Sequence, residues 1–238
     1  LVVDKIESLG LIERIDQRLP VSEIHGAKVT HGERIAAMIL NGLGFIDNRL
    51  YLFPEFLRDK PVDRLFNKPL EACWFNDDAL GRCLDEISSY GCTKLFTELS
   101  LHIGQTRGLL GRSMHLDTTT LSLYGDYEIA ESEDHPVPKK GYAKSGRHDL
   151  KQMILLLATT GAAHFPVWME AHSGNASDQK TLPAAAVKMK QLCEGLRGSQ
   201  EFIYVGDSAI YSNMLPHSRE MTWITRIPES IKEAKEWV

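Results

Sequence analysis

Ser113-Met114-His115-Leu116-Asp117-Thr118-Thr119-Thr120-Leu121-Ser122-Leu123 is where the grammar of the chain changes. Apolar and polar residues alternate along it and threonine is frequent, the pattern of a half-buried β-strand. Nothing before Gly111 reads that way. Ile6, Leu9, Ile12, Ile15 and Leu19 recur at near-helical spacing until Pro20 stops them. Thr30-His31-Gly32-Glu33 has the form of a capping box ahead of Ile35-Ala36-Ala37-Met38-Ile39-Leu40. Asn41-Gly42-Leu43-Gly44 loosens or ends that helix. Asn76 or Asp77 caps another, through Leu80, Leu84 and Ile87, that closes near Gly91, and a fourth is expected over 93–105.

Downstream of the quoted strand, Gln152-Met153-Ile154-Leu155-Leu156-Leu157-Ala158 is an apolar run that a Thr159-Thr160-Gly161 turn ends. Phe165-Pro166-Val167-Trp168-Met169-Glu170-Ala171 reads as its hairpin partner, with a proline near its start where an edge strand tolerates one. A helix over 178–196 follows, capped by Ser177 or Asn175, with Pro183 in its first turns. Phe202-Ile203-Tyr204-Val205 is a short strand ending at Gly206-Asp207. A helix is expected from Ser208, and Trp223-Ile224-Thr225-Arg226 is a fifth strand. The order strand, strand, strand, helix, strand, helix, strand is that of a ribonuclease-H-like fold. The expected architecture is α/β: an all-helical N-terminal domain, residues 1–110, then a partial ribonuclease-H-like mixed sheet with helices, residues 111–238.

The 238 residues are 43% hydrophobic and 25% charged, which suits a packed chain and excludes a disordered one. No apolar run approaches the roughly 18 residues of a membrane helix. No charged-then-apolar leader follows Leu1, so no signal peptide is expected; the chain begins with Leu rather than Met and the charged periodicity after Ile231 is still running at Val238, so it reads as a fragment cut at both ends. Cys73, Cys83, Cys92 and Cys193 form no Cys-x-x-Cys pair and read as buried thiols of a reducing cytoplasm. The net charge of −5 argues against a generally basic, nucleic-acid-coating surface. Its distribution is uneven, however. Asp126, Glu128, Glu131, Glu133 and Asp134 form an acidic stretch. Lys139, Lys140, Lys144, Arg147 and Lys151 follow against one acid, Asp149. Taken alone, these read as two solvated loops.

Two carboxylates stand apart. Asp117 lies inside a strand, where aspartate is depleted, and reads either as a functional acid or as an exposed-edge residue. Asp207 closes the fourth strand and reads either as a functional acid or as the cap of the next helix. They are 90 residues apart in sequence, but the first and fourth strands are neighbours in this topology. Paired carboxylates on rigid strands suit a divalent cation that stabilises an in-line phosphoryl transfer. His115 falls on the same strand face as Asp117 and reads as an ordinary strand histidine. Ser208 lacks the Gly-x-Ser-x-Gly elbow of a serine hydrolase.

At these residues the sequence resembles the DDE transposases of bacterial insertion sequences, in the branch whose N-terminal part is a domain of unknown function. The stretches that carry the resemblance are His115-Leu116-Asp117-Thr118-Thr119-Thr120-Leu121-Ser122-Leu123-Tyr124-Gly125, Gly141-Tyr142-Ala143-Lys144-Ser145-Gly146-Arg147-His148-Asp149-Leu150-Lys151-Gln152, Gly174-Asn175-Ala176-Ser177-Asp178 and Val205-Gly206-Asp207-Ser208-Ala209. Leu40-Asn41-Gly42-Leu43-Gly44-Phe45 and Asn76-Asp77-Asp78-Ala79-Leu80-Gly81-Arg82 extend it upstream. The basic block is its most specific part, and each aspartate motif alone would be weak.

The resemblance implies two aspartates and a glutamate that bind Mg²⁺ or Mn²⁺, with Asp117 first and Asp207 second. It implies cleavage of transposon ends and joining of the freed 3′ hydroxyl to target DNA, with a homodimer in the full-length form and no membrane association. It gives the basic block a role in holding phosphates, so Lys139, Lys140, Lys144, Arg147 and Lys151 become candidate DNA contacts. Charge reversal at Lys144 and Arg147 is then expected to weaken DNA binding and flatten its salt dependence; an unchanged slope in a salt titration refutes the role. Gly174-Asn175-Ala176-Ser177-Asp178 reads as a turn and helix cap.

The chain departs from the family at the glutamate. In the 31 residues after Asp207 nothing matches the expected Tyr, Arg, Glu and Lys spacing. Glu229, Glu233 and Glu236 qualify by residue type only, so little or no strand transfer is expected from this chain alone. The other readings are a non-catalytic DNA-binding or dimerising remnant of a transposase and a nuclease of the same fold. A helix-turn-helix between residues 73 and 105 is compatible with the helical spacing, without an assignable recognition helix.

Overall fold

A computed structural model of the chain describes residues 1–21, 27–45, 49–128, 135–142, 146–197, 201–217, 219–228 and 231. Lys144, Glu131, Glu133, Asp134, Glu229, Glu233 and Glu236 lie outside the described residues. The chain divides into two units, Leu1–Leu95 and Phe96–Val238.

The first unit is built from α1 (Val2–Ser8), α2 (Leu11–Arg18), α3 (His31–Leu40), α4 (Phe53–Arg58), α5 (Val62–Leu65), α6 (Asp77–Tyr90) and the first turn of α7 (Cys92–Thr106). The expected first helix is two, because Gly10 adopts a left-handed φ of 57° that a helix cannot continue through. The capping box forms. Thr30 Oγ1 accepts from Glu33 N at 3.1 Å, and Glu33 Oε2 accepts from Thr30 N at 2.8 Å. Past Leu40 the chain widens into a π-helical turn, Asn41–Phe45. Asn76 caps α6, its Oδ1 accepting from Ala79 N at 2.9 Å. Phe53, Leu57, Phe75 and Leu80 are the buried centre of this unit. Gly91 alone separates α6 from α7. That is shorter than the three- or four-residue turn of a helix-turn-helix, so this expectation is not met.

The second unit holds the sheet. Its strands are β1 (Ser113–Leu123), β2 (Lys151–Thr160), β3 (Phe165–Ser173), β4 (Ile203–Gly206) and β5 (Thr222–Thr225). They lie in the order β3-β2-β1-β4-β5. β1, β2 and β3 are antiparallel neighbours, whereas β4 runs parallel to β1 and β5 parallel to β4. Three meandering strands extended by parallel strands on the β1 side make the ribonuclease-H-like arrangement expected from the element order. Pro166 sits on the edge strand, at an irregularity where Ala158 pairs with Trp168 and Thr159 with Pro166, which costs no ladder bond on the outer side.

Between β3 and β4 runs α8 (Asp178–Arg197). Leu182, Ala185, Ala186, Met189 and Cys193 recur along it at helical spacing and pack with Met114, Leu116, Leu156, Ala158 and Tyr204 of the sheet. Pro183 lacks the N–H that would bond to the Gln179 carbonyl. Asn213 Nδ2 donates to that carbonyl instead, at 2.5 Å. The helix expected after Ser208 is broken into a 3₁₀ turn, Ser208–Ile210, the single turn α9 (Tyr211–Met214) and another 3₁₀ turn, Leu215–His217. Pro216 prevents a longer continuation. No helix among the described residues is long and apolar enough to cross a membrane.

Leu156 is fully buried at the centre of the sheet. Leu156→Ala should cost the second unit about 2–5 kcal/mol, the usual range for a core leucine truncation. Urea unfolding followed by tryptophan fluorescence checks this.

Candidate active site

β1 alternates strictly at its start. Met114, Leu116 and Thr118 turn to the α8 side and are buried, while His115, Asp117 and Thr119 turn the other way and are exposed. The parallel ladder with β4 runs Ser113↔Ile203, Met114↔Tyr204 and His115↔Val205. The ladder ends there; the same offset carried two steps beyond it would bring Asp117 level with Asp207. β4 ends one residue earlier, but Asp207 keeps an extended backbone, with φ −73° and ψ −177°. Alternation along β1 puts the Asp117 carboxylate on the sheet face opposite α8. Neighbouring strands are roughly 4.8 Å apart, a spacing at which two carboxylates reach one cation.

Each acid is held by its own backbone. Asp117 Oδ1 accepts from Thr118 N at 2.8 Å, and Asp207 Oδ1 accepts from Ala209 N at 2.9 Å. Asp207 thus caps the 3₁₀ turn, the structural reading open to it. Thr225 Oγ1 donates to the Asp207 carbonyl, tying the end of β5 to the same point. The second oxygen of each carboxylate makes no hydrogen bond among the described residues. The pair fits a hard divalent ion, since Mg²⁺ commonly takes one or two carboxylates and completes its shell with water. No group of three or more His, Cys, Asp or Glu side chains gathers among the described residues. His115 Nε2 lies 3.1 Å from Ser113 Oγ, and its ring stands 6.4 Å from that of His164.

The basic block is elsewhere on the sheet. Lys151 pairs with Leu123, and Lys139 is joined to Gln152 by an isolated antiparallel bridge. Leu123 is six residues past Asp117 on β1, or roughly 20 Å. Arg147 forms a two-point ion pair with Asp149, at 2.8 and 2.7 Å. The hydrogen bonds to Arg147 hold the Asp149 carboxyl down at about 2, and they raise the guanidinium in turn. Lys151 Nζ donates to the Tyr127 carbonyl. Lys140 is exposed. Asp117 thus lies on β1 and Asp207 directly after the neighbouring strand β4, whereas the described cations of the basic block lie toward the far end of β1.

A cleft of about 540 Å³ lies on the α8 side of β1. Gly141-Tyr142 and the stretch from Gly174 to Asp178, far apart in sequence, meet there with Thr118, Thr120 and Gln152. Their contact could not be read locally.

A mixed sheet of this order, three antiparallel strands extended by two parallel ones, defines a ribonuclease-H-like α/β unit. Residues 1–101 match a family model described as a domain of unknown function, DUF4277. No curated protein matches the sequence. Among solved structures the chain is similar to a piggyBac transposase in a synaptic complex with hairpin DNA, at 13% identity and a TM-score of 0.44, covering 94% of this chain and 49% of that one. It is also similar to the Mos1 transposase in a paired-end complex with the left transposon end, at 10% identity and a TM-score of 0.31, covering 88% and 70%. A Mos1 mariner paired-end complex with Mn matches at 11% identity and a TM-score of 0.30, covering 85% and 60%. The chain spans about half the length of the piggyBac transposase chain.

Proposed function

We propose that the second unit is the phosphoryl-transfer unit of a transposase, acting on DNA through Asp117 and Asp207. The observation that supports this reading is the parallel β1–β4 pairing, whose offset, continued past the paired residues, would bring Asp117 level with Asp207. Asp117 and Asp207 are the residues that would hold Mg²⁺ or Mn²⁺. Bound there, such an ion supplies charge to the phosphodiester and activates the attacking water or hydroxyl. The carboxylates hold their orientation through the Thr118 and Ala209 amides, so little is left to order when a substrate arrives. Lys139, Lys140, Arg147 and Lys151 would supply positive charge to the phosphates, with the Arg147 guanidinium also held by Asp149.

The test is incubation of the purified chain with Mn²⁺ and a duplex bearing the inverted repeats that flank its gene. Nicking at the repeat ends, lost in Asp117→Asn and Asp207→Asn, supports the reading. Products joined into a target plasmid separate a transposase from a nuclease. Nicking undiminished in both variants overturns the assignment. DNA that is bound but never cut, with or without metal, favours the non-catalytic remnant.

A further inference from the structure

β4 stops at Gly206, level with Leu116, while β1 runs on to Leu123. The gap outside the carboxyl end of a strand is where open α/β sheets take ligands. Here the gap opens into the cleft of about 540 Å³ beside the start of α8, a size ordinary for small-ligand sites. We propose that this cleft receives an unpaired nucleobase of the bound DNA strand. The inference rests on the DNA-binding reading above and assigns a second, non-catalytic subsite within it.

The floor is rigid. Gln152 is 2% exposed, and its Nε2 donates to the Gly174 carbonyl at 2.7 Å and to the Tyr142 carbonyl at 3.3 Å. A Cβ on Gly141 would lie 2.0 Å from the Gly174 carbonyl oxygen, so the two loops meet backbone to backbone. This contact sets Tyr142 at the rim, where the residue is 84% exposed. An open aromatic ring on a fixed backbone is a stacking platform, and stacking on a base is tolerant of sequence.

The walls are polar and select against phosphate. Thr120, Asn175 and Gln179 present uncharged donors and acceptors. Asp178 supplies a carboxylate in the first turn of α8, accepting from Thr118 Oγ1 at 2.9 Å. That charge already complements the positive end of the helix and repels a second anion. A heterocyclic base suits such walls, since its amino groups donate to carboxylate and amide oxygens. Cations stand outside the cleft. Lys139 is bridged through its backbone to Gln152, and exposed Lys140 follows it. Phosphates along these lysines and a base turned inward match the usual division of labour in single-strand binding.

The cleft also adjoins the acids. Ala209, whose N–H holds the Asp207 carboxylate, lines it. Thr118, another lining residue, follows Asp117 directly and faces the opposite side of β1. A strand that crosses the free edge of β1 beside the carboxylate pair can therefore drop a neighbouring base into the cleft, once that base is unpaired.

The experiment measures affinity by fluorescence anisotropy for three oligonucleotides: a fully paired duplex, the same duplex with a single-stranded tail, and the same with an abasic tail. The tailed duplex should bind about tenfold more tightly than the other two, the low end of what one stacked base contributes. Tyr142→Ala and Thr120→Val should each reduce that ratio towards one. Tyr142 is open to solvent and Thr120→Val keeps the side-chain shape, so unfolding midpoints should match the wild type. An abasic tail that binds as well as the natural one overturns the inference. So does a ratio that both variants leave unchanged. DNA bound without preference sinks this subsite and leaves the proposed function standing, whereas failure to bind any of the three sinks both.

Discussion

Asp117→Asn is expected to lower Mn²⁺-dependent nicking by more than about a hundredfold, the scale on which loss of a directly acting group is felt, and to leave the fold intact. The side chain is exposed, so the substitution neither opens a cavity nor buries a polar group. Asparagine keeps an Oδ1 that can accept from Thr118 N as Asp117 does. What disappears is the negative charge that a hard cation needs from an oxygen ligand. Asp207→Asn should behave alike, since asparagine is as good a cap as aspartate for the turn whose Ala209 N–H it accepts. Parallel measurements of nicking rate and urea midpoint separate the two effects. A large drop in midpoint would mean that the acids serve structure, contrary to this account.

Gly174→Ala should do the reverse and disable the protein through its fold. A Cβ there would lie 2.0 Å from the Gln152 carbonyl oxygen and 2.3 Å from that of Lys139. Both are backbone atoms of the bridge that pairs Lys139 with Gln152, so neither can rotate aside. Relief requires parting the bridge, together with the Gln152 hydrogen bond to the Gly174 carbonyl. The expected loss is at least about 3 kcal/mol, the upper end of overpacking costs. A urea midpoint within error of the wild type would contradict the backbone contact.

How far the sequence reaches depends on whether the signal is local. β1 was legible because its alternation and threonines need no partner to be seen, and the Thr30–Glu33 box because its groups are three residues apart. Pro20 and Gly91 ended helices for reasons contained in single residues. The division at Gly10 was missed because Ile6 to Leu19 keep helical spacing across it. α4 and α5 are too short for periodicity to show. Pro216 should have warned against a long helix after Ser208.

The site divides along the same line. The identities of Asp117 and Asp207 were legible as chemistry, but the pairing that makes their strands neighbours joins segments 90 residues apart. The basic block lies in the connection between the first two strands, up to the start of the second. A connection between antiparallel strands sits at the far end of the first, which here is six residues beyond Asp117. The cleft was not legible at all, since Gly141 and Gly174 reveal their purpose only when they touch.

The account turns on one cation shared by two strands. Crystals of the protein soaked in Mn²⁺ and measured at the manganese absorption edge test this directly. The account predicts an anomalous peak within coordination distance of both the Asp117 and Asp207 carboxylates, absent from Asp117→Asn crystals. A map in which the two carboxyl groups point to opposite faces of the sheet, or in which manganese binds away from both, would contradict it.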